Sequence, residues 1–577
     1  MSIYDKSSLV LIPSGTKTGK VYSQKPVSGD GDFTFTRSSA ATRVNADGNI
    51  EKETQNLLLQ SNQFDVSANW VNTFSSETSG HSGYDGSSDA WLLTKTDAGG
   101  RIHQNFTASG VLTYSVYLKA NASDYALIQL NGSGADKYMY VDLTDGSKGS
   151  IGGGNIDENI VDVGGGWYRC SITANTDATR VRIYPANSTG DVSATSGSIY
   201  IQDAQLEYGL VARDVITTTT TAVEGGITDN VPRLDYTDSS CPALLLEPQR
   251  TNLMHYSAPA PLTTTTSVTD KWVIYSATTG VVNDAIGVDG YKTATKYTNA
   301  SNTVNDYMLY RFLNVTSGQT YTCSGYLKLG TATNACIVLN NGSAWNAIPN
   351  ANFVATAAAG YDEWKRFEIT FTAPATNKIN VHIGYHNETG VDAQSLGNFY
   401  LDSFQCEAGS YATSYIPTYG SSVTRVADNN VRIGSQPDLI GQTEGTLFFE
   451  GTAEAGTEII ALHRSTLGGI FILSNSSSKV QFFAWYGNGV VINYSSTIDS
   501  TSNFKAAFAY KDGDTALYCN GQQISLRTEA FDPQITLQDV WLNQGGYAAS
   551  KNKLNAKQAL VFKTRLSNEE LAALTTI

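Results

Sequence analysis

The sequence predicts an all-β protein: tandem antiparallel β-sandwich (jelly-roll) domains with one short C-terminal helix. Three observations carry this. Only 16% of residues are charged, while Gly (52) and Tyr (32) are abundant beside Thr, Ser and Asn, a mix suited to half-buried sheet faces joined by tight turns. Bulky and small or polar residues alternate over many short stretches, the period of a strand with one wet face. A set of motifs recurs once, in the same order, about 200 residues later. At 577 residues the chain has room for about three to five domains.

The N-terminal segment, residues 1–55, begins MSIYDKSSLVLIPSG. It lacks the basic start, long apolar run and small-residue cleavage site of a secretory signal. Leu9 to Ile12 is too short to span a bilayer, and no later segment approaches the roughly 20 apolar residues required. The six cysteines are scattered without CxxC pairs. Free, mostly buried thiols are expected of a chain folded in a reducing cytoplasm.

The duplicated unit occupies residues 56–216 and 252–418. Asn56-Leu57-Leu58 returns as Asn252-Leu253-Met254, and Trp70 as Trp272. TYSVYLKA (113–120) returns as TCSGYLKL (322–329), GGWYRCSITA (165–174) as DEWKRFEITF (362–371), and SIYIQDAQLEYG (198–209) as NFYLDSFQCEAG (398–409). Offsets run from 196 (Asn56 to Asn252) to 209 (Tyr117 to Tyr326), far above the ~20–50 residues of a solenoid repeat, so each copy is a complete domain. Two packed antiparallel sheets bury such half-apolar strands economically. An Asn-Leu opening, an early Trp, a Y-L-K strand, a W-x-R strand and a closing Q-x-E strand resemble the carbohydrate-binding jelly rolls of the family 4/9 type. That resemblance implies a sandwich fold and sugar binding.

Residues 444–577 open with EGTLFFEG. A strand, an Asp512-Gly513-Asp514 turn and a second strand ending in Asn520-Gly521 follow; Asn-Gly is a strong hairpin signal because both residues tolerate positive φ. A last strand runs into a helix over 568–574, capped by Ser567 with Glu570 at the capping-box position. This order resembles a laminin-G or concanavalin-like jelly roll.

Two connecting segments remain, 217–251 and 419–443. The first reads PRLDYTDSSCPALLLEPQRTNL over 232–253; the second carries SSVTRVADN at 421–429, a shorter relative of FTFTRSSAATRVNADGNIE near the N-terminus. These segments resemble the joints of bacteriophage tail- or head-associated structural proteins. The resemblance implies an N-terminal virion-docking segment, clip-like linkers and a fibre-type protein, commonly a trimer.

Chemistry is sparse. The net charge of −15, without clustered Lys and Arg, argues against a nucleic-acid partner. No G-x-S-x-G elbow, P-loop or dinucleotide fingerprint occurs. Asp85 with Asp89, and Asp142 with Asp145, read as turn carboxylates, although acid/base pairs are defined by separations that sequence does not provide. A structural Ca2+ in a jelly-roll loop is the one cofactor left open. His382 and His386, near Glu388, share a strand face, but no third ligand is placed beside them, so no metal site is assigned. Trp70, Trp167, Trp272 and Trp364 sit at repeated positions and read as core. Trp91, Trp345, Trp485 and Tyr486 lack repeat partners and are the candidate sugar-stacking rings.

The expectation is a non-enzymatic virion protein, a tail or head fibre or capsid decoration. It is made in the host cytoplasm and presents jelly rolls to host-surface glycans, with other virion proteins as partners. No nucleic acid, no membrane insertion and a homo-oligomeric state complete it. A polysaccharide depolymerase with binding modules, or a purely structural virion component, are the alternatives.

Overall fold

The computed structural model describes residues 2–577 apart from 133, 266–267, 276–277, 301–306, 343–346, 385–395, 465–467, 487–488, 529–535 and 544–550. The regular structure of the described residues is nearly all antiparallel strand, with two α-helices, Ile3–Lys6 and Asn568–Thr575. The chain divides into two compact units. One holds residues 1–52, 227–250 and 424–577; the other holds 53–226 and 251–423.

The first unit is a two-sheet sandwich, and its composition is the main surprise. Most of the N-terminal segment and of both connecting segments, set apart in the sequence as docking and clip elements, is integral to it, as residues 1–52, 227–250 and 424–443. Leu9–Leu11 and Ala243–Leu246 both pair with Leu554–Phe562 in one sheet. In the other sheet Phe33–Thr36 pairs with Asn429–Ile433, which pairs with Asp539–Leu542. The reason lies in the side chains. Phe33 and Phe35 alternate with exposed threonines and enter one core with Leu244, Leu246, Val431, Leu447, Phe508 and Val561. Burying that many apolar groups is what draws three distant segments together.

A buried ion cluster ties the same three segments. Arg37 donates to Asp428 at 3.1 Å, Arg233 to Glu247 at 2.6 Å and also to Asp428, and Arg425 to Glu247 at 2.9 Å. All five side chains are essentially inaccessible. Burial pushes the Arg37 guanidinium down to about 10, against the attraction of Asp428. The repeated Arg-Val steps therefore differ: Arg425 is a core ligand of Glu247, whereas Arg43 makes a half-exposed pair with Glu51 at 2.8 Å.

The predicted hairpin is present: Thr515–Cys519 and Gln522–Arg527 pair with Cys519 opposite Gln522, and Asn520 and Gly521 both take positive φ (50° and 75°). Ser567 caps the terminal helix. Its Oγ accepts from the Glu570 N–H at 3.2 Å, and the Ser567 N–H donates to Glu570 Oε2 at 3.0 Å. The four-residue helix Ile3–Lys6 has no sequence expectation behind it.

The second unit holds the duplicated modules, and duplication shows directly in the strands. In module 1 the strands Arg101–Ala120 and Trp167–Ala186 run unbroken for 20 residues each. In module 2 each is split by a loop, into Tyr307–Asn314 with Thr320–Leu329 and Lys365–Thr372 with Lys378–Gly384. Module 2 consequently forms separate six- and five-stranded sheets. Val111 and Leu210 of module 1 enter the core of module 2, so the two modules meet through buried apolar contact. None of the six cysteines is joined in a disulfide; five are buried and Cys241 is exposed.

Candidate functional site

The motifs that mark the duplication are internal latches. Asn56 Nδ2 donates to Ala204 O and Ile216 O, and its Oδ1 accepts from the Leu58 and Leu206 N–H groups. Asn252 repeats all four bonds with Phe404, Ile416, Met254 and Cys406. Gln205 donates to Glu207 at 2.7 Å, as Gln405 does to Glu407. Arg169 reaches Ser115 and the Arg213 carbonyl; Arg366 reaches Ser324 and the Thr413 carbonyl. These side chains satisfy the backbone of the closing strand and the segment after it, which explains why the motifs recur.

The predicted rings fare unevenly. Trp91 is corrected: it is 7% exposed, packs edge-on against Phe64 and donates its indole N–H to Asn62 O at 3.0 Å. It has no repeat partner because Thr295 takes its place in module 2, buried and bonded to Pro259 O. Trp485 is half-buried. Trp345 and the Tyr486 side chain lie outside the described residues. Of the expected core tryptophans, Trp70, Trp167 and Trp272 are buried. Trp364 is only half-buried, its indole N–H on Ile286 O at 3.1 Å.

His382, expected near solvent, is fully buried against Asn340; His386 and Glu388 lie outside the described residues. Among the described residues no three His, Cys, Asp or Glu side chains group as a metal site would need. The loop carboxylates act as turn acceptors: Asp142 takes the Thr144 N–H, Asp145 the Ser147 N–H, and Asp85 the Ser87 N–H. The Gln202 amide donates to both Asp85 and Asp89.

What the sequence does not announce is the outer face of one module 1 sheet. Along Arg101–Ala120, Ile102 and Gln104 oppose Ile183 and Val181, whose side chains enter the core. By strand alternation His103 and Asn105, with their partners Arg182 and Arg180, face outward. On the next strand Leu127, Gln129 and Asn131 continue these rows, and beyond them Tyr138 and Tyr140 oppose Gln129 and Leu127. Arg101 lies over the Tyr184 ring at 5.7 Å. One face thus gathers three guanidiniums and the rings of Tyr125, Tyr138, Tyr140 and Tyr184. The absence of clustered basic residues in the linear sequence is corrected here, since arginines some 80 positions apart become neighbours.

The electrostatics of this face are unbalanced. Arg182 donates to Gln129 Oε1 at 3.2 Å, Arg180 to Asn105 Oδ1 at 2.6 Å and Arg101 to Gly99 O at 3.2 Å. All three acceptors are neutral, and among the described residues none of these guanidiniums pairs with a carboxylate. Nε of Arg101, Nε of Arg182 and Nδ1 of His103 have no partner. Burial, then Arg180, Arg101 and Arg182 in turn, pushes the His103 imidazole down to about 4. At neutral pH the face carries three guanidiniums around a neutral imidazole, with the Asp136 carboxylate held on the Gln129 and Asn131 amides, in a chain of net charge −15.

No protein-family model matches the chain. Among curated proteins, tRNA nuclease WapA of Bacillus subtilis is 23% identical over 164 residues, 28% of this chain and 7% of that protein. The tRNA3(Ser)-specific nuclease WapA of Bacillus spizizenii shows the same identity and coverage; the chain therefore spans only about 7% of the length of these relatives. Among solved structures, the tandem CBM22 modules of Paenibacillus barcinonensis Xyn10C align at 14% identity, covering 61% of this chain and 98% of that one (TM-score 0.21). The CBM40 module of a Ruminococcus gnavus sialidase, bound to α2,3-sialyllactose, aligns at 16% identity over 23% of this chain and 84% of that one (TM-score 0.21). Mouse laminin α1 domains LG4-5 align at 10% identity over 47% and 87% (TM-score 0.16).

Proposed function

We propose that the chain is a structural and adhesive virion protein, a tail or head fibre or decoration, whose module 1 holds acidic host-surface glycans on its Arg–Tyr sheet face. The observation that carries the adhesive part is the trio Arg101, Arg180 and Arg182, half-exposed on one outer face and each bonded to a neutral acceptor. Three guanidiniums without a directly paired carboxylate repel one another more than Asp136, held on the Gln129 and Asn131 amides, offsets, and a bound anion lowers that cost. Guanidiniums match carboxylate geometry with two parallel N–H donors, while the half-exposed rings of Tyr125 and Tyr138 offer flat faces for sugar carbons, Tyr140 and Tyr184 being buried beneath them. The virion part rests on the resemblance of the 232–253 and 421–429 segments to phage structural proteins. Weak single sites repeated on one particle gain avidity through effective concentration, which suits a homo-oligomer displayed in many copies.

The test is a glycan array probed with the full chain, wild type beside Arg182→Ala and Arg180→Ala. Retention on carboxylated or sulfated glycans, lowered tenfold or more in either variant and falling with added salt, supports the reading. Equal retention by single-stranded RNA of the same charge density would point to a general polyanion surface and sink the glycan assignment. Immunogold labelling of intact particles tests the virion location; finding the chain only in secreted bacterial fractions would sink that part.

A further inference from the structure

A concave feature lies inside the two-module unit, where module 1 meets module 2. It is a groove of about 640 Å³ walled by Tyr208, Tyr256, Tyr419, Asn175, Asp177 and Lys137 among others. Its floor is backbone. Val111 N–H donates to Tyr419 O at 2.8 Å, and Gly209 N–H to Val111 O at 3.1 Å. Gly110 sits at φ +117°, where an added Cβ would come within 2.2 Å of Tyr419 O. The close approach that forms the floor thus requires glycine.

The rings are where the repeats part company. The shared latches on Glu207 and Glu407 fix the register of the closing strands, and the next residues are Tyr208 in module 1 and Ala408 in module 2. Ile216 and Ile416 carry equivalent bonds; three residues on, module 1 has Thr219 and module 2 has Tyr419. Tyrosine therefore stands only at the two module ends that face each other. Their rings lie nearly parallel, 13° apart with centroids 6.2 Å apart, and both are half-exposed. Other side chains also hold the junction: Arg213 pairs with Asp289 at 3.0 Å, Asn283 bonds Asp157 at 2.9 Å, and Val111 and Leu210 are buried.

We infer that this groove binds a neutral oligosaccharide, a pyranose ring lying against Tyr208 and Tyr419 with its hydroxyls on Asn175, Asp177 and Lys137. Parallel half-exposed rings present the flat apolar surface that sugar C–H faces need. Hydroxyls that both donate and accept match the surrounding amide, carboxylate and ammonium. One Lys and one Asp cancel in formal charge, so the groove, unlike the arginine face, has no preference for an anion. Asn175 Nδ2 donates to Tyr256 OH at 2.9 Å and Ser109 Oγ to Asp177 Oδ1 at 2.6 Å, which holds two recognition groups in place before a ligand arrives.

The inference goes beyond the proposed adhesion to acidic glycans and stands on different residues. The full chain is titrated calorimetrically with cello-, xylo-, manno- and maltohexaose. The expected result is binding of at least one, weakened tenfold or more in Tyr419→Ala and in Tyr208→Ala and unchanged in Arg182→Ala. Asp177→Ala, at an exposed position, gives the same loss should either tyrosine variant fail to fold. No heat with any of the four sugars, or affinity unmoved by the Tyr419 and Asp177 variants, overturns it. Affinity lost in Arg182→Ala instead places the sugar on the arginine face and overturns it too.

Discussion

Arg213 at the end of module 1 donates to Asp289 of module 2 at 3.0 Å, with both side chains almost wholly buried. The guanidinium also lies over the Tyr291 ring at 5.3 Å, and the Arg213 backbone N–H donates to Glu207. One residue therefore closes the latch of its own module and anchors the next. Asp289 belongs to a Gly-x-Asp-Gly loop, Gly287 to Gly290, that repeats Gly83 to Gly86 of module 1. Asp85 accepts the Ser87 N–H just as Asp289 accepts the Tyr291 N–H, but it stands in an exposed turn.

Removing one partner of a buried pair strands the other charge, at a cost of about 3–5 kcal/mol. Arg213→Ala should lower the melting temperature of the two-module unit and expose residues 209–216 to protease. Arg213→Met, which retains apolar bulk, should lose less. Unchanged proteolysis in the alanine variant would show that the apolar contact alone sets the junction.

The sandwich that contains the C-terminus draws its core from three segments. A fragment of residues 424–577 lacks Leu9, Leu11, Phe33, Phe35, Leu244 and Leu246 of that core and should show no cooperative unfolding transition. In the full chain Arg233→Ala leaves Glu247 and Asp428 short of one partner each and should cost this unit about 3–5 kcal/mol. A fragment melting as sharply as the full chain would refute the shared core.

Glu458 is 2% exposed, and burial raises its carboxyl from 4.5 to about 7, opposed by Lys551. The folded state favours the protonated form. Its contribution is therefore complete below pH 4.5 and is lost as pH rises through 7, a span of about 3 kcal/mol. Glu458→Gln should stabilise this unit at pH 7.5 and flatten its pH dependence between 4.5 and 7, as followed by thermal melts. Identical profiles for the two proteins would contradict this.

His103 reports on the arginine face. An acidic oligosaccharide bound there offsets Arg180, Arg101 and Arg182, so the imidazole pKa should rise from about 4, readable by NMR of the labelled ring. Saturation with an acidic oligosaccharide that leaves the His103 titration unmoved would place the ligand elsewhere.

Trp91→Ala should cost the module 1 core about 3–5 kcal/mol, seen as a lower melting temperature. A loss within the range of ordinary surface substitutions would return Trp91 to the surface.

Much of the fold was legible. The Asn520-Gly521 hairpin, the Ser567 cap and the paired Trp70 and Trp272 follow from local rules, because turn dihedrals, capping hydrogen bonds and strand alternation depend on neighbours in the chain. The errors share a cause. Trp91 reads as a free ring in the sequence because its partner in module 2 is Thr295, a different way of filling the same core position. The 217–251 and 419–443 segments read as linkers because their strands find partners hundreds of residues away.

The sequence by itself determined the all-β class, the duplication and the latch residues Asn56, Gln205 and Glu207 with their copies. Each is local or repeats in register. Only the tertiary structure decided that Arg213 meets Asp289, that Arg37, Arg233 and Arg425 share two carboxylates, and that Arg101, Arg180 and Arg182 crowd one face. Those meetings depend on which strands pair and in which register. Core burial over the whole unit selects that pairing, and no stretch of the chain encodes it alone.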